Sequence, residues 1–173
     1  KNSLIGGEDL KNNILSKFLK NGVSEKQLIF LEREKNIYDH LNLYNKANVA
    51  LDTFPYPGVT TSFEAILMGL PVLTMRGFNF NSRCGESINK NLNLENLIAY
   101  DEKDYIAKAV HLSNDHEFLI DIRERVYNNA LTSALFDTEN FVKEFYNLVF
   151  ININFLVWLW FYYLFIYTSS IFI

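Results

Sequence analysis

Apolar positions along the chain repeat with two alternating periods. Residues 8–21 place Leu10, Ile14, Leu15, Phe18 and Leu19 on one stripe, a spacing that predicts a helix with Gly22 as its C-cap. Gln27 to Leu31 then reads as a strand. Residues 36–46 put Ile37, Leu41 and Tyr44 on one face of a second helix, and Asn48 to Asp52 reads as the next strand.

The segment from Ala50 to Thr74 is the most informative. An apolar run ends in Asp52, a Pro/Gly loop turns the chain, hydroxyl residues open a short helix, and Gly69 with Pro71 stops it before another strand. This is one βαβ unit. Pro71 to Met75 is its second strand, Arg76 to Asn81 a polar loop, and Ser82 to Leu92 a helix capped by a hydroxyl. Leu97 to Ala99 is a short last strand. Helical patterns follow at about 102–113, 115–131 and 138–149, the last with Asp137 or Thr138 as its cap. Strands alternating with helices, then helices alone, predict an α/β doubly wound domain with a helical C-terminal end.

A parallel strand that feeds a helix N-terminus leaves several N–H groups without carbonyl partners, and the helix dipole adds about half a positive charge there. Phosphates bind such places, and in open α/β sheets the ligand crevice lies at the carboxyl ends of the strands. Residues 53–61 would sit there. A second reading stands beside this one. Thr61 followed by Glu64 also fits a capping box, which satisfies helix donors and needs no ligand.

The same segment resembles the catalytic region of the O-linked N-acetylglucosamine transferases, the OGT and SPINDLY group. The likeness runs through Leu51 to Gly58, then Thr60, Thr61, Glu64, Ala65, Leu67, Met68, Gly69, Pro71, Val72 and Thr74. Downstream, Phe80-Asn81-Ser82-Arg83-Cys84-Gly85 resembles the family's F-x-S-R-x-G, Leu97-Ile98-Ala99 its L-I-A, and Ser133-Ala134-Leu135-Phe136-Asp137 its S-P-L-F-D. Upstream, Asp39-His40-Leu41 with Leu43-Tyr44 resembles E-H-L-x-L-Y. The likeness covers roughly residues 1–148.

That resemblance implies a Rossmann-like doubly wound parallel sheet, part of the C-terminal lobe of a glycosyltransferase B fold. It implies transfer of N-acetylglucosamine from UDP-GlcNAc to protein Ser/Thr hydroxyls, inverting the anomeric centre, with no cofactor and no metal. It implies that His40 contacts the uridine, that Gly58, Thr60 and Thr61 meet the diphosphate, and that Glu64 binds the ribose hydroxyls. Imidazole, hydroxyl and carboxylate suit those tasks. The uracil-pocket lysine of the family has no match, since Ile37 stands three residues before His40. Pro57 and Val59 also depart from the pattern, removing an N–H and a diphosphate contact. The family's catalytic lysine falls upstream of Lys1, so no catalytic residue is expected in this stretch, and the isolated chain is expected to be inactive. A GDP-fucose donor, as in SPINDLY-type members, another B-type glycosyltransferase or an epimerase, and a non-catalytic nucleotide-binding module held at a membrane are the alternatives.

Size adds to this picture. At 173 residues the chain suits one ordinary domain, whereas a complete transferase of this kind needs two lobes and TPR repeats. No repeat of about 34 residues is present. The start at Lys1-Asn2-Ser3-Leu4 falls just after an early strand of the second lobe, so a fragment lacking the N-terminal lobe is expected. The expected division is a partial nucleotide-sugar-binding lobe at 1–150 and an apolar tail at 151–173.

A net charge of −4 with scattered Lys/Arg argues against a nucleic-acid partner. The single cysteine, Cys84, excludes an internal disulfide and fits a reducing, cytoplasmic setting. It reads as a small buried residue. Asp52 reads as an orienter of the loop through its N–H groups. Arg83 holds either the loop and helix start or a diphosphate charge. His111 and His116 read as solvated helix residues, since no spacing suggests a metal site.

Residues 148–173 carry no charge and are long enough to cross an apolar layer about 30 Å thick as a helix. A membrane anchor is one reading. The absence of flanking Lys/Arg and the abrupt end of the resemblance near Leu148 favour a non-native tail from a shifted reading frame.

Overall fold

The computed structural model describes residues 8–32 and 34–169. The chain start and the final residues of the apolar tail lie outside that range. The described chain separates into two compact units, divided between Asn48 and Val49.

The first unit is helical. α1 spans Glu8–Lys20, carries acids in its first turn and lysines in its last, and stops where Gly22 takes φ +83. That matches the dipole at both ends and places glycine where other side chains are strained. α2 spans Ile37–Asn42, with the Asn36 side chain accepting from the Tyr38 N–H at 2.8 Å, and continues as a 3-10 turn over Leu43–Lys46. The strand expected at Gln27 to Leu31 is not formed. Glu25–Gln27 is a 3-10 turn, and residues 28–32 pair with no strand among the described residues. A β-like run becomes a strand only when a ladder neighbour satisfies its backbone, and Ile29 remains 83% exposed.

The second unit holds a three-stranded parallel sheet in the order β1-β2-β3, where β1 is Ala50–Leu51, β2 Val72–Met75 and β3 Ile98–Ala99. Ala50 pairs with Val72 and Thr74 with Ile98. Each crossover carries a helix: α3, Thr60–Leu67, between β1 and β2, and α4, Cys84–Asn91, between β2 and β3. Parallel strands require such crossovers. α5 (Glu102–Asn114), α6 (His116–Thr132) and α7 (Thr138–Ser169) follow. Asp101, Asp115 and Asp137 accept from Asp104, Phe118 and Asn140 N–H groups and so fix the three starts.

α4 and α5 pack on β2, and α3 packs on α6. Ile66, Leu70, Leu73, Leu92, Leu97, Ile98, Ile122 and Val126 are fully buried between them. This core supplies the hydrophobic driving force, and it leaves the carboxyl ends of β1 and β2 free to carry loops. The α/β expectation is thus met.

One helix start differs from the sequence reading. Asn81–Arg83 is a 3-10 turn ahead of α4, and the Ser82 hydroxyl accepts from the Asn79 N–H at 3.1 Å while Asn79 Oδ1 accepts from the Ser82 N–H at 2.9 Å. Ser82 therefore clamps the preceding loop rather than capping the helix. Cys84 becomes the first residue of α4, half-buried and with a free thiol.

α7 is longer than the pattern at 138–149 suggested, and it runs through the uncharged segment to Ser169. Among the described residues no helix is long and apolar enough to cross a membrane.

Candidate functional site

The site begins with the carboxylate that ends β1. Asp52 Oδ1 accepts from the Gly58 N–H at 2.7 Å and the Thr53 N–H at 3.1 Å, and Oδ2 accepts from Thr74 Oγ1 on β2 at 2.9 Å. One side chain thereby ties both ends of the 53–58 loop to the neighbouring strand. Thr53 Oγ1 closes the loop from within by donating to the Tyr56 carbonyl at 2.6 Å. Within the loop, the Phe54–Pro55 bond is cis and Pro57 is buried.

A second anchor comes from α5. Tyr105 donates its hydroxyl to the Asp52 carbonyl at 2.9 Å. Burial, and then the Asp52 charge, push the phenol up to about 12, so it keeps its proton and its donor role. Burial likewise raises the Asp52 carboxyl above its ordinary value, opposed by the bonds from Gly58, Thr74 and Thr53, each of which favours the charged form.

Two glycines allow this packing. A Cβ on Gly58 would stand 2.8 Å from Ser62 Oγ and collide with Thr61 Oγ1. A Cβ on Gly85 would stand 2.8 Å from Asp52 Oδ2 and collide with Thr74 Oγ1. The start of α4 and the loop are therefore pressed against the same carboxylate.

The loop delivers the chain to the start of α3. Val59 is the N-cap residue, with no side-chain capping bond, and the first helical bond runs from the Phe63 N–H to the Val59 carbonyl at 3.0 Å. The N–H groups of Thr60, Thr61 and Ser62 thus have no intrahelical carbonyl. The capping box offered by Thr61 and Glu64 is not built, because Thr61 lies inside the helix rather than at its N-cap. Thr60 and Thr61 are exposed and Glu64 is half-buried one turn on. Gly58, Thr60, Thr61 and Glu64 are brought together at this helix start. His40 belongs to the first unit, on α2, where its ring meets Tyr44 edge-on at 6.0 Å.

Arg83 is committed to its own helix. Its Nε and Nη2 bond Glu86 at 2.7 and 3.2 Å, while Lys90 Nζ lies 2.9 Å and Arg76 Nε 3.5 Å from the same carboxylate. Glu86 is 3% exposed, and the Arg83 bond, with help from Lys90 and Arg76, holds its carboxyl down to about 2. Of the two roles open to Arg83, the structure builds the helix-start role.

The sequence reading did not single out Tyr105 or Glu86. Tyr105 carries no local signal, since it lies 53 residues from its partner. Glu86 was marked only by basic residues three before and four after it, a spacing typical of exposed helix faces. Among the described residues no group of His, Cys, Asp and Glu is arranged to hold a metal ion.

Known proteins resemble this chain in sequence and in fold. The chain is 31% identical over 137 residues to the probable UDP-N-acetylglucosamine--peptide N-acetylglucosaminyltransferase SPINDLY of Eustoma exaltatum subsp. russellianum, covering 79% of this chain and 15% of that protein. It is 36% identical over 107 residues to the SPINDLY protein of Solanum lycopersicum, covering 62% of this chain and 12% of that one. A lysine-to-methionine mutant of the Thermobaculum terrenum O-GlcNAc transferase superposes with a TM-score of 0.77 at 29% identity, over 84% of this chain and 28% of that one. The chain thus spans a small part of the length of these relatives. The profile of the family described as Glycosyl transferase family 41 matches residues 6–145, and the chain belongs to that family.

Proposed function

We propose that residues 1–150 form part of the donor lobe of a protein glycosyltransferase that moves N-acetylglucosamine from UDP-GlcNAc to Ser/Thr hydroxyls of a protein acceptor in the cytoplasm. The observation that carries this reading is the uncapped start of α3, presented by a loop that Asp52 braces. The diphosphate meets the free N–H groups and hydroxyls of Thr60 and Thr61, Gly58 allows close approach, and Glu64 bonds the ribose. As the sugar leaves, negative charge gathers on UDP. A preorganised helix N-terminus stabilises that charge without reorganising, which is electrostatic catalysis with no metal or cofactor. An N-terminal lobe with TPR repeats supplies the remaining groups, so this chain alone transfers no sugar. The apolar residues 151–173 take no part in the reading.

Titration calorimetry of the chain with UDP, UDP-GlcNAc and GDP tests it. UDP and UDP-GlcNAc are expected to bind, and Thr60→Ala/Thr61→Ala to weaken both roughly tenfold or more, since each lost charge-assisted bond is worth about 1.5–3 kcal/mol. Preferential binding of GDP would replace the donor with a GDP-sugar. No nucleotide binding at all would overturn the reading.

A further inference from the structure

Beside the helix start lies a cavity of about 660 Å³ that none of Gly58, Thr60, Thr61 or Glu64 lines. Its walls come from the N-cap and first turn of α3, the loop after β2, α4, and the turn between α6 and α7. Val59, Phe63, Ile88 and Leu135 give it an apolar interior, and Phe78 and Phe80 stand at it 81% and 87% exposed. Side chains of that size on a loop, uncovered to that degree, mark a surface that a partner covers.

Charge gives the partner its chemistry. Arg83 and Lys90 line the cavity together with Glu86, and Arg76 reaches the same carboxylate. Glu86 is nearly fully buried and firmly ionised, so it neutralises one of the three cations and two positive charges remain in excess. Arg83 and Lys90, which line the cavity, are 43% and 51% exposed, and Arg76, which reaches Glu86 from outside the lining, is 43% exposed, so that excess faces solvent. An apolar interior under a cationic rim complements a chain that carries both apolar and acidic side chains.

We propose that this cavity binds an acidic polypeptide segment, apolar residues inside and Asp/Glu against Arg76 and Lys90. Calling that segment the acceptor rests on the donor-lobe reading above; the binding itself does not. The site is then the acceptor-sequence reader of this lobe, and it favours Ser/Thr sites flanked by acidic residues.

Fluorescence anisotropy of the whole chain tests this with a labelled Ser/Thr peptide rich in valine and glutamate, and a twin with glutamine for glutamate. The acidic peptide is expected to bind the more tightly, by about three- to tenfold, the sum of two exposed ion pairs. Arg76→Gln/Lys90→Gln keeps the Arg83–Glu86 pair and is expected to abolish the preference. Phe80→Ala is expected to weaken both peptides. Raising the salt, which screens exposed charges and needs no variant, is expected to erase the preference in the unaltered chain.

Equal affinity for the two peptides, or a preference that survives Arg76→Gln/Lys90→Gln, would overturn the proposal. So would displacement of the acidic peptide by UDP together with loss of UDP binding in that variant, because the cavity would then belong to the nucleotide. Absence of UDP binding with the peptide preference intact would sink the donor reading and leave this one standing.

Discussion

Gly58 donates its N–H to Asp52 Oδ1 at 2.7 Å, across a six-residue loop, and so fixes the height at which the chain enters α3. The same carboxylate holds Thr53 and Thr74. Asp52→Ala leaves all three donors without that acceptor. The expected cost is about 1–3 kcal/mol in urea unfolding, with a weaker UDP isotherm. Asp52→Asn, which keeps one acceptor oxygen, is expected to cost less. Unchanged UDP affinity in a folded Asp52→Ala protein would show that the loop needs no brace.

Tyr105→Phe removes the bond from α5 to the Asp52 carbonyl and is expected to cost roughly 0.5–1.5 kcal/mol. Its pH signature is specific. The phenol is raised from 10.0 to about 12, so its contribution is complete below pH 10 and fades as the pH climbs through the folded value. Thermal melts from pH 9 to 12 are therefore expected to fall less steeply for Tyr105→Phe than for the unaltered chain.

Glu86 titrates on the opposite side. Its carboxyl lies at about 2 against an ordinary 4.5, so its stabilisation is present above 4.5 and is lost as the pH falls toward 2. The shift sets an upper limit of about 3 kcal/mol, reduced by solvent screening of the half-exposed cations. Acid unfolding followed by circular dichroism is expected to lose this component in Glu86→Gln, whose melting temperature should change little between pH 5 and 3. An identical acid slope in both proteins would remove Glu86 from the account.

Gly85→Ala places a methyl group against Thr74 and Asp52 with no room to move, and overpacking of this kind costs typically 1–3 kcal/mol. Gly69 has open space but sits at φ +68. There Gly69→Ala is expected to cost about 1–2 kcal/mol through backbone strain alone and to leave UDP binding untouched. Gly85→Ala should disturb both stability and binding, which separates space from conformation.

The pattern of positions 50–74 was enough to place β1, α3 and β2, because a buried parallel strand and an amphipathic helix each write a local period into the sequence. Asp52 was legible as a loop orienter for the same reason: a short acceptor at a strand end finds nearby N–H groups. Three features were not legible. The expected strand at Gln27 to Leu31 has the composition of a strand, yet pairing is a property of a neighbour that local sequence does not contain. The role of Ser82 turned on Asn79, which competes for the same bonds that a helix cap would use. Glu86, acidic and set among basic residues, reads as a solvated face and is instead almost completely buried. Whether a charged helix face is wet depends on what the fold lays across it.

β1 is two residues long and stands at the end of the sheet order, with Leu51 60% exposed. Among the described residues, no strand of this sheet satisfies the main-chain donors and acceptors on its outer side. Such an edge is a template for another strand. The practical consequence is colloidal: preparations of the chain are expected to self-associate as concentration rises, and Leu51→Lys, which sets a charge on the exposed face beside that edge, is expected to slow light-scattering growth.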